Sequence, residues 1–326
     1  MKDHHTSAHT SNLIPRGFAC ILLAAVVACA ASLPVKARRA GGSPAPSVDS
    51  KKIEELIRAS GAETVAIAFY DLATGEQFNI EPDKNFHAAS TMKVPVMMEV
   101  YRQAGAGKFS LDDRIPVKND FISIADASHY SISADSDSDQ SLYKKIGQSE
   151  TIRELMRLMI DVSSNLATNI LIERVSAPRV MQLMREVGAT NIRVLRGVED
   201  GKAFERGMNN TTTARDLMIL LRRIAEGRAV SRKASDEMVK VMLDQKFNES
   251  IPAGLPSEAR VAHKTGSITK INHDAAIVYL PNRKPYVLVV LTRGIEDEKR
   301  SHKLIADISR TVYESLMGAQ QITPAK

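Results

Sequence analysis

The chain has 326 residues, 44% of them hydrophobic and 25% charged, with no tryptophan and only 5% aromatic residues. Such a composition is globular and excludes a fibrous or wholly disordered chain, and it argues against an aromatic-lined platform for bases or sugars. The formal charge of +6 is dispersed along the chain, which suits an anionic surface or substrate and provides no concentrated patch for nucleic acid.

From Gly17 to Leu33 the chain is apolar apart from Ser32, with Lys2 and Arg16 before the run and Lys36, Arg38 and Arg39 after it. An export signal over residues 1–30 is predicted, an uncleaved membrane anchor being the alternative. Cys29 follows Val26, Val27 and Ala28 and is similar to the lipobox cysteine of bacterial lipoproteins; otherwise Cys20 and Cys29 are simply apolar members of the discarded signal. On either reading the folded part has no disulfide and depends on its core. Residues 31–49, with Pro34, Gly41, Gly42, Pro44 and Pro46, read as a flexible tether, so the protein is predicted to act at the cell envelope, periplasmic or membrane-anchored.

The folded domain is predicted over 50–326. Ser50 to Ser60 reads as a helix with Ile53, Leu56 and Ile57 on one side and Gly61 as its stop. Thr64–Tyr70 and Gln77–Ile80 form a hairpin pattern. A helix is predicted from Ser90 to near Gly105, with Pro95 early enough for its missing amide to cost little. Ile152–Ile160 and Leu166–Val175 are two further apolar-striped helices, and Thr213 with Asp216 reads as a capping box. Ala275–Leu280 and Tyr286–Thr292 are strands, and Leu304–Leu316 is a closing amphipathic helix.

This pattern predicts an α/β fold of the α+β type. Its antiparallel sheet is built from both termini, about 50–84 and 261–326, with terminal helices packed on it. A helical part, about 85–260, is inserted between. The segment 120–141 is rich in Asp and Ser, but Gln140 stands where a calcium loop needs its central Gly and Ile146 where it needs Glu, so it reads as a solvated surface loop. His87, His129, His263, His273 and His302 are scattered and form no metal-ligand spacing, no phosphate-cradling loop is present, and no metal or cofactor is expected. His273 and Asp274, adjacent on a strand, point to opposite faces and are not read as a catalytic pair.

Three polar clusters sit at element boundaries: Ser90-Thr91-Met92-Lys93, Ser163-Ser164-Asn165 and Lys264-Thr265-Gly266. On a helix the Ser90 hydroxyl and the Lys93 ammonium lie one turn apart on one face. Serine needs a base to become a nucleophile, and Lys93 serves only if burial and a neighbouring cation such as Lys264 lower its pKa. Each cluster alone has a dull reading as a helix start, a turn or a strand end.

In this order, from about residue 50 to the C-terminus, the clusters resemble the Ser-x-x-Lys, Ser-Asp-Asn and Lys-Thr/Ser-Gly signatures of the class A serine β-lactamases and the related penicillin-binding serine hydrolases. The resemblance extends to Phe86-His87-Ala88-Ala89 before Ser90, to Val94-Pro95 after Lys93, to Leu166-Ala167-Thr168-Asn169 and to His263 and Ser267. It implies that Ser90 forms an acyl-enzyme, that Lys93 takes its proton and that Ser163 passes a proton to the leaving nitrogen. It further implies that Asn165 binds the substrate amide, that Lys264 holds the field around Ser163, and that the amides of Ser90 and Ser267 form an oxyanion hole. Thr265 and Thr269, beside Gly266, are then candidates for the substrate carboxylate, with Arg293 as a cationic helper.

Two departures stand out. Ser164 replaces the aspartate of the second signature. The loop that would carry a deacylating glutamate reads Arg196-Gly197-Val198-Glu199-Asp200, so Glu199 falls one residue late, no proline follows it, and Asn210 stands where an acidic partner for Arg196 is expected. Glu199 is accordingly read either as the water-activating base or as a surface acid. The predicted activity is β-lactam hydrolysis by an exported monomer; the alternatives are a DD-peptidase-like hydrolase acting on peptidoglycan-related acyl donors, or a penicillin-binding protein with slow turnover.

Overall fold

The computed structural model describes residues 48–322; the predicted export signal, Cys20, Cys29 and most of the tether lie outside them. Helix α1 (Ser50–Ser60) leads into the strands β1 (Thr64–Asp71) and β2 (Gln77–Ile80), then β3 (Phe86–His87), a 3₁₀ turn over Ala89–Met92 and helix α2 (Lys93–Gly105). The short strands β4 (Arg114–Pro116), β5 (Phe121–Ile122), β6 (His129–Tyr130) and β7 (Ser149–Thr151) follow. Next come helices α3 (Ile152–Asp161), α4 (Asn165–Val175), α5 (Ala177–Val187) and α6 (Gly201–Glu205), strand β8 (Thr211–Thr212), and helices α7 (Ala214–Ala225) and α8 (Arg232–Leu243). The chain closes with β9 (Arg260–Ile268), β10 (Ile271–Tyr279), β11 (Tyr286–Arg293) and α9 (Glu298–Ile322).

Five strands form one antiparallel sheet in the order β2-β1-β11-β10-β9, so both ends of the chain build it and β9 lies at an edge. Side chains alternate across a strand, and both faces of this sheet are covered. Along β11, Tyr286, Leu288 and Val290 enter one core with Ile53 of α1 and Ile305, Ile308 and Val312 of α9. Val287, Val289 and Leu291 enter the other core with the helical part, among them Met97 of α2 and Leu217 of α7. That two-sided burial is why the strand reads in sequence as an unbroken apolar run rather than an alternating one.

Helix α2 is buried almost all round, as expected of a helix running through the middle of a core. The predicted helix from Ser90 begins instead as the 3₁₀ turn, with Ala89 at φ +44°, and becomes α-helical only at Lys93. The predicted capping box at α7 is half formed: Thr213 caps the Asp216 amide at 3.1 Å, whereas the Asp216 carboxylate accepts from Asn191 and Ile192 N–H.

Candidate active site

Each of the three signatures is delivered by a different element, and the fold brings them to one place. Ser90 sits half-buried in the 3₁₀ turn ahead of α2, Ser163 and Asn165 at the junction of α3 and α4, and Lys264 on β9. The close approach of β9 to the turn needs Gly266, since a Cβ there would lie 3.0 Å from the Ser90 nitrogen and 3.1 Å from that of Thr91.

Both lysines converge on Ser163. The Lys93 ammonium donates to Ser163 O at 2.6 Å, to Ser163 Oγ at 3.1 Å and to Asn165 Oδ1 at 2.9 Å. Lys264 donates to the same Ser163 Oγ at 3.1 Å and to Thr265 O at 3.0 Å. Both lysine side chains are fully buried. Burial, and then the charge of Lys264, hold Lys93 well below the ordinary lysine range, while Asp137 and Glu199 partly oppose the shift. Burial lowers Lys264 to about 7.

The direct contact expected between Ser90 and Lys93 is not formed. Three oxygens compete for the buried ammonium, and a carbonyl and an amide oxygen are strong acceptors for it. Among the described residues the Ser90 hydroxyl has no hydrogen-bond partner and opens onto the cleft. That cleft, of about 690 Å³, is lined by Ser90, Asn165, Glu199 and Ser267, with Phe204 and Ile268 as apolar walls. Its volume is in the range of small-molecule sites.

The loop after α5 places its acid at the site despite the shifted spacing. Asn169 grips Val198 from both sides, accepting from its N–H at 2.7 Å and donating to its carbonyl at 3.0 Å. A Cβ on Gly197 would lie 2.4 Å from Asn169 Oδ1, so only glycine fits beneath that grip. Glu199 then takes φ +61°, and this left-handed step turns its carboxylate towards Asn165, whose Nδ2 lies 3.5 Å from Oε1. The Asn165 amide therefore bridges Lys93 and Glu199. At the neck of the loop the buried Arg196 bonds the carbonyls of Met208 and Gly197 and Asn209 Oδ1, while Asn210 pairs with the backbone of residues 195 and 196.

Thr269 and Ser267 border the cleft, and the Ser267 hydroxyl donates to Glu298 at 3.2 Å. Thr265 and Gly266 lie on β9 beside them. Arg293 is not brought into the cleft: its guanidinium bonds Thr64 Oγ1 at 3.1 Å and pairs with Glu63 at 3.0 Å, because that carboxylate, just ahead of β1, captures it. His273 and Asp274 do point apart, His273 bonding the His87 carbonyl and Asp274 bonding His263.

The segment 120–141 is not simply a solvated loop. Asp137 and Asp139 are buried, and Asp137 sits at the start of α4. The missing acid of the second signature was the signal that a carboxylate had to come from elsewhere.

Fold and site together define a serine hydrolase, with Ser90 at the mouth of a cleft and a lysine pair behind it. The profile of the beta-lactamase enzyme family matches residues 50–316, and the chain belongs to that family. It is similar to the β-lactamase of Streptomyces albus G, 27% identical over 85% of this chain and 88% of that one. Among solved structures it is similar to the β-lactamase of Sphaerobacter thermophilus, with a TM-score of 0.72 at 26% identity over 85% of this chain and 100% of that one. It is also similar to a PBP-A variant determined as its acyl-enzyme complex with penicillin G, with a TM-score of 0.69 at 28% identity over 82% and 95% of the two chains.

Proposed function

We propose that the protein hydrolyses β-lactam amides through an acyl-enzyme on Ser90, and the observation that carries this reading is the meeting of two buried lysines on one serine hydroxyl, Ser163. Burial and the charge of Lys264 hold Lys93 well below the ordinary lysine range, which favours the neutral amine that accepts the Ser90 proton. Apo contacts of this kind often tighten only when substrate binds. The proton then passes through Ser163 to the lactam nitrogen as the C–N bond breaks, while Asn165 holds the substrate amide. The backbone amides of Ser90 and Ser267 receive the oxyanion, a contribution worth about 3 kcal/mol per donor in acyl-transfer enzymes. Thr265 and Thr269 offer hydroxyls to the substrate carboxylate. Glu199, at the cleft and beside Asn165, activates the water that releases the product.

The test is nitrocefin turnover by the purified protein with Ser90→Ala as control. Turnover that vanishes with the hydroxyl, together with a penicilloyl mass on Ser90, supports the reading. An adduct without turnover moves it to a slow penicillin-binding protein, and no adduct at all overturns it. The predicted export signal over 1–30 supports action at the cell envelope, with Cys29 as a candidate lipid site, and the protein is taken to act there as a monomer; the mass of the mature N-terminus, cell fractionation and size-exclusion chromatography test this. Among the described residues no helix is long and apolar enough to cross a membrane.

A further inference from the structure

The first turn of α4 carries the second signature and has free backbone amides to satisfy. Ser164 caps only one of them, the Ala167 amide, at 3.3 Å. The others are met by Asp137, 28 residues before Asn165 in sequence. Both Asp137 oxygens accept from the Asn165 amide at 3.0 Å, and Oδ2 also accepts from the Leu166 amide and from the Tyr143 hydroxyl, each at 2.9 Å. Asp137 is 6% exposed, whereas Asp135, two residues earlier in the same run, is exposed and Asp126 is committed to Lys202 and Ser128. A carboxylate on the backbone amides of a helix start makes charge-assisted bonds and favours the positive end of the helix dipole.

What hangs on this contact is the site itself. The Asn165 backbone is the acceptor's anchor point, its side chain holds Lys93 and reaches Glu199, and Ser163, two residues back, is held at φ +59°. We propose that Asp137 is the positioning residue of the second signature: the acid absent at position 164 is supplied from the segment 120–141 and sets Ser163 and Asn165 for proton relay and substrate binding. Its kinetic consequence rests on the acyl-enzyme reading above; its structural consequence does not.

Four full-length variants test it: Asp137→Asn, Ser164→Asp, the two combined, and Asp135→Asn. Asp137→Asn is expected to lower kcat/KM for nitrocefin at least tenfold. Ser164→Asp alone is expected to lower it as well, because two carboxylates are then crowded at one helix start. The double variant is expected to return to within about threefold of the wild type, and Asp135→Asn to match it. A pH profile separates positioning from mere packing. The charged groups acting on Lys93 are Lys264, Asp137 and Glu199. Removing the Asp137 charge moves the acid limb of kcat/KM to lower pH, while a packing loss scales the profile without moving it. The thermal midpoints of the same proteins provide a readout free of activity, and rescue of Asp137→Asn by Ser164→Asp, in folding or in midpoint, supports the proposal even if the wild type neither turns over nor acylates. Additive midpoints, no recovery of folding in the double variant, or Asp137→Asn within threefold of wild-type kcat/KM overturns it.

Discussion

Ser163 Oγ lies 3.1 Å from each of two lysine nitrogens, and this residue-scale fact makes the acidity of the site a shared property of Lys93 and Lys264. Replacing Lys264 with Gln removes the second largest cause that lowers Lys93, so the acid limb of the acylation rate is expected to move to higher pH, opposite to the shift in Asp137→Asn. Stopped-flow acylation rates as a function of pH check the sign. Glu199→Gln is expected to leave acylation intact and slow deacylation at least roughly tenfold, seen as accumulation of the Ser90 adduct; unchanged deacylation would remove Glu199 from the reaction. At this scale the sequence points to Ser90, the two lysines and Ser163, because each lies in a short local pattern. It does not show Asp137, whose partner is distant in the chain, nor the capture of Arg293 by Glu63. The late position of Glu199 reads as a defect until the left-handed turn that compensates for it is seen.

Between elements, the β5–β6 hairpin and helix α6 are fastened together. Asp200 caps α6 at the Ala203 amide and also accepts from Ser123 Oγ at 2.8 Å and from the Ile124 amide at 3.0 Å, while Lys202 reaches Asp126 at 2.8 Å. The same segment that steadies α4 through Asp137 thus also steadies the Glu199 loop. Asp200→Ala leaves three donors unpaired, two of them around buried groups. It is expected to cost about 2 kcal/mol, a fall of ~5 °C in melting temperature, and to slow deacylation more than acylation. Asn209→Asp, which offers Arg196 a carboxylate where it now has an amide at 3.3 Å, is expected to stabilise by about 1 kcal/mol; differential scanning calorimetry reads both. Most of the main helices and strands were legible because their apolar stripes are long, whereas helices α5 and α8 were not read as elements. The paired two-residue strands were not, since two residues carry no periodicity and only tertiary contacts define them.

Across the whole molecule, the two cores meet at the sheet, and the lysine pair lies where the helical part presses on β9. The unfolded chain holds the Lys264 proton up to about the ordinary 10.5, whereas the folded state releases it at about 7. The unfolded state therefore binds more protons between these values, so this group's contribution to stability rises as pH rises through that window and is lost as pH falls towards 7. The difference in urea midpoint between pH 7.5 and 10 is expected to be smaller in Lys264→Met than in the wild type. The architecture as a whole was readable from the order of its segments, sheet at both ends and helices between, because chain order restricts topology more tightly than any single motif.

β9 ends the sheet, and an edge with free amides and carbonyls invites another chain to pair with it. Here the 3₁₀ turn carrying Ser90 and helix α8 lie against that strand. A lesion that swings the turn away bares more of that strand at the moment it displaces Ser90, so loss of activity and loss of solubility are expected to appear together.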